Sequence, residues 1–197
     1  MSIISNKGEN ITKALNVLYK TYENLELLFS DMDKEAEQMG FVSHTDKFMR
    51  WKSDANFNGW LTSSFIKLYQ VEGERGSEQL EELRQGDIYA VEINLEEEYP
   101  QIWLCRHRFD FSVWKRMPAT ADHWLFYQPL YLDNESLFKL VEKDEFWYSM
   151  PTAKAQKSYW GIQGSVAVSV PLVTVHSAET IRAEIFDRLR TLPEPCK

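Results

Sequence analysis

Apolar side chains recur along residues 11–39 in steps that alternate between four and three positions, and Ile4 lies one heptad before this series. The residues are Ile4, Ile11, Leu15, Leu18, Tyr22, Leu25, Phe29, Met32, Ala36 and Met39. Steps of three and four place all of these residues along one side of an α-helix. The pattern therefore predicts one long amphipathic helix, with Asn10 as its N-cap and Gly40 as the left-handed residue that follows its C-terminus.

The predicted helix is too long to lie against a small domain over its whole length. From Ile11 to Met39 it spans about 43 Å at the standard helical rise, so part of it must overhang, bend or meet a second copy. Its first two thirds has a wide apolar face that suits the protein's own core, whereas the stripe narrows among charged residues from Phe29 onward. We therefore predict a homodimer or partner contact at the C-terminal end, with packing of the whole helix on the core as the alternative. The partner-binding residues assigned there are Phe29, Met32, Ala36 and Met39.

After Gly40, alternating apolar positions and turn residues predict a mixture of strands and helices. Strands are predicted at residues 87–96 and 101–111, which form a hairpin, and at residues 123–132, 146–150 and 165–175. Helices are predicted after the capping residues Ser77, Asn134 and Ser177, the first ending at Gly86 and the last at Pro193. Pro171 indicates that the last strand is an edge strand or contains a bulge. Residues 57–70 fit helix and strand patterns alike, with a preference for helix.

The order of these elements predicts an α+β fold without regular βαβ alternation. We expect an antiparallel sheet of about four to six strands, with helices on one face, packed by the long N-terminal helix and by a C-terminal helix. Residues 1–197 are expected to form a single domain, in which residues 1–40 are the long helix and residues 41–197 the α+β body.

Composition and charge narrow the classes of function. Hydrophobic residues make up 44% of the chain, yet no apolar run approaches the roughly 18 residues that span a bilayer. The two cysteines form neither a disulfide framework nor a zinc spacing, so a cytoplasmic protein is expected. The net charge is −8, and residues 1–100 hold 10 Lys and Arg against 19 Asp and Glu. An acidic half of this kind argues against nucleic-acid binding and favours a basic protein partner.

A cluster of cationic residues is the most suggestive constellation in the chain. Strand alternation places Arg106 and Arg108 on one face, and Lys115 and Arg116 follow shortly after. Two guanidinium groups side by side can hold a carboxylate or a phosphate in a forked geometry. The cluster therefore predicts a binding site for a small anionic ligand, and a solvated strand face on which Asp110 neutralises its neighbours is the alternative.

Other groupings give little sign of catalysis. His107 and Cys105 share a strand face, but further metal ligands would have to come from distant histidines at unrelated spacings. No GxSxG elbow is present, and the glycines at 161 and 164 lead into a strand rather than the helix that a phosphate-binding loop requires. We predict no cofactor, no metal site and no catalytic residues.

Aromatic residues are dense between Trp103 and Trp160, and Trp114 and Trp160 are expected at a partner surface because they lie in predicted loops. The sequence resembles no family that we recognise. Our first hypothesis is a soluble, non-enzymatic interaction protein of the inhibitor, immunity or accessory-subunit type that binds a protein partner through its acidic N-terminal half. The alternatives are a sensor that binds a small anion near Arg106 and Arg108, and an enzyme whose site is not visible as a motif.

Overall fold

A seven-stranded antiparallel sheet is the centre of the structure, a computed structural model that describes residues 3–131 and 135–195, with side chains from Lys7 onward. Its strands are β1 (Phe41–Ser43), β2 (Ser64–Val71), β3 (Ile88–Asn94), β4 (Gln101–Phe109), β5 (Phe138–Lys143), β6 (Phe146–Pro151) and β7 (Ile162–Pro171). Their order across the sheet is β1-β2-β3-β4-β7-β6-β5. The predicted α+β fold and antiparallel sheet are confirmed, whereas the expected count of four to six strands is too low.

The helices lie on both faces of this sheet rather than on one. They are α1 (Ile3–Gln38), α2 (Trp124–Tyr131), α3 (Ala153–Ser158), α4 (Ala178–Ile181) and α5 (Arg188–Thr191), with a π-helical segment (Arg182–Asp187) joining the last two. The long N-terminal helix and the C-terminal helix are confirmed. Ser177 caps α4 as predicted, because its side chain accepts a hydrogen bond from the backbone N–H of Thr180.

Two separate hydrophobic cores form on the two faces of the sheet. On one face, α1 and the C-terminal helical run cover a core that includes Phe65, Val91 and Leu104. On the other face, α2, α3 and loops cover a core that includes Leu68, Cys105 and Phe126. Because successive side chains of a strand point to opposite faces, β2, β3 and β4 supply both cores.

Helix α1 is continuous from Ile3, so the predicted N-cap at Asn10 is wrong, and Gly8 lies inside the helix without ending it. Its C-terminal end agrees with the prediction, since Gly40 adopts a left-handed φ of 70°. The expected division of its apolar stripe is reversed. The stripe packs on the sheet from Tyr22 onward, where Leu25, Phe29 and Met32 are part of the core, while the N-terminal half extends into solvent.

Four further predictions of secondary structure are wrong. Residues 57–70 form a 3-10 turn (Phe57–Gly59) and then strand β2, whose interior side chains are buried on both faces and so conceal the alternation. Residues 123–132 contain helix α2 rather than a strand, and residues 77–86 form turns. Val141 belongs to strand β5 instead of a helix, while the predicted cap Asn134 lies outside the described residues. Strand β7, which ends at Pro171, lies between β4 and β6 and is therefore not an edge strand, but its register with β4 shifts between Arg108 and Phe109, which agrees with the other prediction, a bulge.

Candidate functional site

The N-terminal half of α1 presents apolar side chains to solvent. Ile11, Leu15 and Tyr19 have exposed fractions of 64%, 48% and 69%, and Leu18 is half-buried. From Lys7 to Thr21 this overhang is about 22 Å long at the standard helical rise. Ile11, Leu15 and Leu18 continue the stripe that packs on the sheet farther along the helix. The chain itself therefore covers only the C-terminal part of a continuous apolar surface.

A loop of exposed aromatic residues lies where α1 leaves the body. The hydroxyl of Tyr22 donates a 2.7 Å hydrogen bond to the backbone carbonyl of Thr62. Immediately before Thr62 are Leu61 and Trp60, and Phe57 lies on the same loop. The exposed fractions of these three side chains are 45%, 69% and 73%. The overhang and the loop thus meet at Tyr22.

Local packing fixes the shape of this loop. The Asn56 side chain caps the 3-10 turn by accepting a hydrogen bond from the backbone N–H of Asn58. The backbone N–H of Ser53 donates to the carbonyl of Gly59 over 3.2 Å. A Cβ at Gly59 would lie 2.2 Å from the Ser53 carbonyl oxygen, so only glycine fits there. The aromatic side chains are therefore displayed by an ordered turn.

We call the surface formed by Ile11, Leu15, Leu18, Phe57, Trp60 and Leu61 the helix–loop surface. The helix and the loop are joined at Tyr22, and large exposed apolar side chains on adjoining elements are typical of interaction sites on proteins. Residues 7–24, which include the overhang, contain three lysines and two glutamates. This surface is therefore nearly neutral in a chain whose net charge is −8, and the acidic residues of the N-terminal half lie largely elsewhere.

The residues predicted to bind a partner at the other end of α1 face the protein's own core. Phe29, Met32 and Ala36 have exposed fractions of 7%, 0% and 1%, and Met39 is half-buried against the same core. This placement agrees with the alternative in which that part of the helix packs on the core. Sequence reasoning found the stripe but not which end meets the sheet, because the heptad spacing is the same at both ends.

Arg106 and Arg108 lie together on one face of β4, as strand alternation predicted, but each guanidinium already has partners within the chain. Both bind the carboxylate of Asp87, with nitrogen–oxygen distances of 2.6 Å for Arg106 and 2.9 Å for Arg108. Both also bind Glu194 of the C-terminal tail. Asp110, the predicted neutralising group, instead accepts a hydrogen bond from the backbone N–H of Ser112.

The other predicted cations and tryptophans are on the opposite side of the sheet. Arg116 pairs with Asp122 and lies 4.8 Å from the ring centroid of Trp160, and Lys115 is exposed. Asp122, held by Arg116 and by the Ala119 backbone N–H, has a pKa below its usual range. Trp114 is buried in the core and donates a hydrogen bond to the backbone carbonyl of Trp160, which is half-buried. The structure therefore does not join Lys115 and Arg116 to the Arg106–Arg108 pair.

His107 and Cys105 are fully buried, two residues apart on the same face of β4. Burial lowers the pKa of His107 to about 3 and raises the pKa of the Cys105 thiol, so neither is charged near neutral pH. Nδ1 of His107 lies 2.8 Å from the Ser165 hydroxyl. Within residues 3–131 and 135–195, no group of three or more His, Cys, Asp or Glu is arranged to hold a metal ion. Over the same residues, no helix combines the length and apolar character needed to cross a membrane.

Comparisons of the chain with protein-family models, with curated proteins and with solved structures found no match.

Proposed function

We propose that this chain is a non-enzymatic interaction protein whose helix–loop surface binds a second copy of the same chain. The observation that supports the proposal is the continuation of the α1 apolar stripe beyond the body into solvent, where Ile11 and Leu15 are exposed. An apolar helix face without a covering element is costly in water and is stabilised when another apolar face covers it.

The spacing of the stripe favours an antiparallel pair of identical helices. Ile11, Leu15, Leu18 and Tyr22 are separated by steps of four, three and four, a spacing that is the same in both directions. In an antiparallel pair related by a two-fold axis, Leu15 of one copy lies opposite Leu18 of the other. Ile11 then lies opposite Tyr22, beside the loop that carries Trp60 and Leu61. The same patch on both copies is therefore self-complementary, as a two-fold interface requires.

The charge and the area of the helix–loop surface both support a second copy of the chain as its partner. Two chains of net charge −8 repel each other over most of their surfaces, and the nearly neutral helix–loop surface is where they can approach. Six large apolar side chains per copy, five of them between 45% and 73% exposed and Leu18 half-buried, would bury roughly 1,200 Å² in total, the lower end of the range for stable interfaces. We therefore expect a reversible dimer rather than an obligate one.

Light scattering on the purified chain over a concentration series tests this proposal. The parent protein is expected to shift from monomer to dimer as concentration rises, and Leu15→Glu is expected to remain monomeric. Leu15 is exposed, so the variant should fold with the same melting temperature as the parent. The matched control is Val17→Glu, because Val17 is 66% exposed on the same helix but points away from the stripe.

A parent protein that stays monomeric at high concentration would overturn the proposal. So would a dimer that Leu15→Glu leaves intact, because the interface would then lie elsewhere. A spin label or fluorophore at residue 11 gives a further check on orientation. In the antiparallel pair, the two labels lie at opposite ends of the contact, whereas a parallel pair would bring them together.

A further inference from the structure

A cleft of about 310 Å³ opens beside the second hydrophobic core, next to the loop that carries Trp60 and Leu61. Its lining includes Trp51, Ser64, Asn94, Glu96, His123 and Tyr127. The volume is at the small end of the range for small-molecule sites. No lysine or arginine belongs to the lining among the residues that the structure describes. The cleft therefore offers aromatic faces, hydrogen-bond acceptors and negative charge.

A buried carboxyl group lies directly behind one wall of the cleft. Glu92, in the middle of β3, has an exposed fraction of 2%, and its Oε1 accepts a 2.8 Å hydrogen bond from the hydroxyl of Ser64. Within the described parts of the chain, Glu92 forms no ion pair, and its partner is the neutral hydroxyl of Ser64. A carboxylate without a cationic partner at such a position is unusual, because removing it from water is costly.

Aromatic rings surround the carboxyl group on the helix side. Tyr127 and Tyr131, one turn apart on α2, stack with ring centroids 4.3 Å apart, and Trp103 meets Tyr131 edge-on at 5.8 Å. The hydroxyl of Tyr131 and Nδ1 of His123 are buried and form no well-aligned hydrogen bond within residues 3–131 and 135–195, although Asn94 lies near the Tyr131 hydroxyl and the Ala121 backbone lies near His123. Unsatisfied buried polar atoms beside a cleft indicate a place that a polar ligand can complete.

The charges around Glu92 are negative or absent. Glu96 and Glu97 lie near enough to raise its pKa, and with burial as the main cause that pKa is about 7. Burial also raises the pKa values of Tyr127, Tyr131 and Cys105 and lowers that of His123. These four groups therefore stay neutral near pH 7, so that Glu92 is the group whose charge changes there.

We propose that this cleft binds a small organic ammonium ion, with its charged group directed toward Glu92 and its apolar part against Tyr127 and Trp51. An ammonium group donates hydrogen bonds, which Glu96, Asn94 and the Tyr127 hydroxyl of the lining can accept, while the carboxylate of Glu92 attracts the charge from behind Ser64. Aromatic faces attract cations, with tryptophan the strongest. The cation would supply the partner that Glu92 lacks within the described chain.

Binding of a cation is coupled to the ionisation of Glu92. The ammonium ion prefers the carboxylate, so at pH 6, where Glu92 is mostly protonated, binding must release a proton. As pH rises from 6 to 8, the ionised fraction grows from about a tenth to about nine tenths, and affinity should rise by about tenfold. Protonation of His123 at low pH also repels the cation, so it too lowers the affinity as pH falls.

Calorimetry with n-butylammonium, n-butanol and butyrate as matched probes tests the proposal. The ammonium compound is expected to bind, and its neutral and anionic counterparts are expected not to bind. At pH 6.5, titrations in two buffers of different ionisation enthalpy should show proton release. Glu92→Gln keeps the shape of the side chain but removes its charge, and should weaken binding at pH 8 by about tenfold or more.

The control variant is Glu142→Gln, which removes an exposed carboxylate from β5 at the far edge of the sheet and should leave binding unchanged. The proposal is overturned if butylammonium and benzylammonium both fail to bind at millimolar concentration, or if butanol binds as well as butylammonium. It is also overturned if Glu92→Gln keeps full affinity at pH 8. The cleft lies within one copy of the chain, so Leu15→Glu should bind the probe normally, and the two proposals can fail separately.

Discussion

Lys67 and Glu92, on the neighbouring strands β2 and β3, are buried charges with different surroundings. The Nζ of Lys67 lies 2.6 Å from Asp33 Oδ2 of α1, whereas Glu92 is bonded to a neutral hydroxyl. A buried charge with an ionic partner is partly compensated, and one without a partner shifts its pKa toward the neutral form. Glu92 is therefore expected to control the pH dependence of stability near neutrality.

The first prediction is that Glu92→Gln changes how stability depends on pH. The pKa of Glu92 is about 7 in the folded chain, against 4.5 as its ordinary value. The folded state therefore binds more protons than the unfolded state between these values, and the Glu92 contribution to stability falls as pH rises from 4.5 to 7. By pH 8 the loss is on the order of 3 kcal/mol. Urea unfolding should show that the free energy of unfolding of Glu92→Gln, relative to that of the parent, rises by about this amount between pH 5 and pH 8.

The test depends on how the stability difference between variant and parent changes from pH 5 to pH 8, because this change cancels any fixed difference between a carboxyl and an amide side chain. Glu142→Gln, at an exposed position, should leave the pH dependence as it is in the parent. If the two curves for Glu92→Gln and the parent stay parallel from pH 5 to pH 8, Glu92 has an ordinary pKa in the folded protein.

The residue pattern predicted which face of a strand a side chain lies on better than it predicted which groups that side chain contacts. Alternation along β4 correctly placed Arg106 and Arg108 on one face and His107 on the other. The groups that neutralise the arginines, Asp87 and Glu194, are about 20 and nearly 90 positions away along the chain. No local spacing connects them. The burial of Glu92 was equally hidden, because an acidic residue in a strand usually points toward solvent.

At the scale of elements, α1 divides into a half that stabilises the fold and a half that does not. Met32 has an exposed fraction of 0%, and Leu15, on the same stripe, has 48%. Met32→Ala should lower the free energy of unfolding by about 2–5 kcal/mol, because it leaves a cavity in the core. Leu15→Ala should change it by about 0.5 kcal/mol or less, as is usual for exposed sites. Denaturant unfolding at a concentration where the chain is monomeric measures both.

Comparable losses for the two alanine variants would contradict this division of the helix, since Leu15 would then have to be packed in the monomer. Met32→Glu is a stronger form of the same test. Substitution there buries an unpaired carboxylate against Phe29 and the sheet, so we expect the variant to unfold rather than to remain a folded monomer.

The elements that the sequence predicted correctly are those with a local signal that nothing else opposes. The β3–β4 hairpin, the cap at Ser177 and the left-handed Gly40 are of this kind. Residues 57–70 failed because β2 is buried on both faces, and its pattern then lacks a period of two. Helix α2 failed because its aromatic residues favour strands, although Tyr127 and Tyr131 stack one helical turn apart.

At the scale of the whole molecule, the sheet order depends on contacts that are distant in sequence. Strand β7 pairs with β4 along its length, which inserts it between the first four strands and the β5–β6 hairpin. The C-terminal tail then returns to β4, where the carbonyl of Leu192 accepts a hydrogen bond from Arg106. Sequence periodicity defines strands but not their neighbours, so this order lay beyond prediction.

The last prediction concerns the cluster that joins this tail to β3 and β4. The Asp87 side chain is 6% exposed and binds both Arg106 and Arg108, whereas the Glu194 side chain is 65% exposed. Asp87→Asn leaves two largely buried guanidinium groups with only the exposed carboxylate. It should therefore lower the free energy of unfolding by about 3–5 kcal/mol. Glu194→Gln should cost about 1 kcal/mol or less, because solvent screens an exposed pair.

Urea unfolding at low and high salt separates the two contributions. The loss caused by Asp87→Asn should persist in 1 M sodium chloride, since buried pairs are screened weakly, while the small effect of Glu194→Gln should vanish. Equal losses for the two variants, or a loss for Asp87→Asn that salt abolishes, would mean that the arginines are solvated and free to hold an external anion. A persistent loss for Asp87→Asn alone assigns the arginine pair to the fold, because the chain's own carboxylates then occupy the positions that a ligand would need.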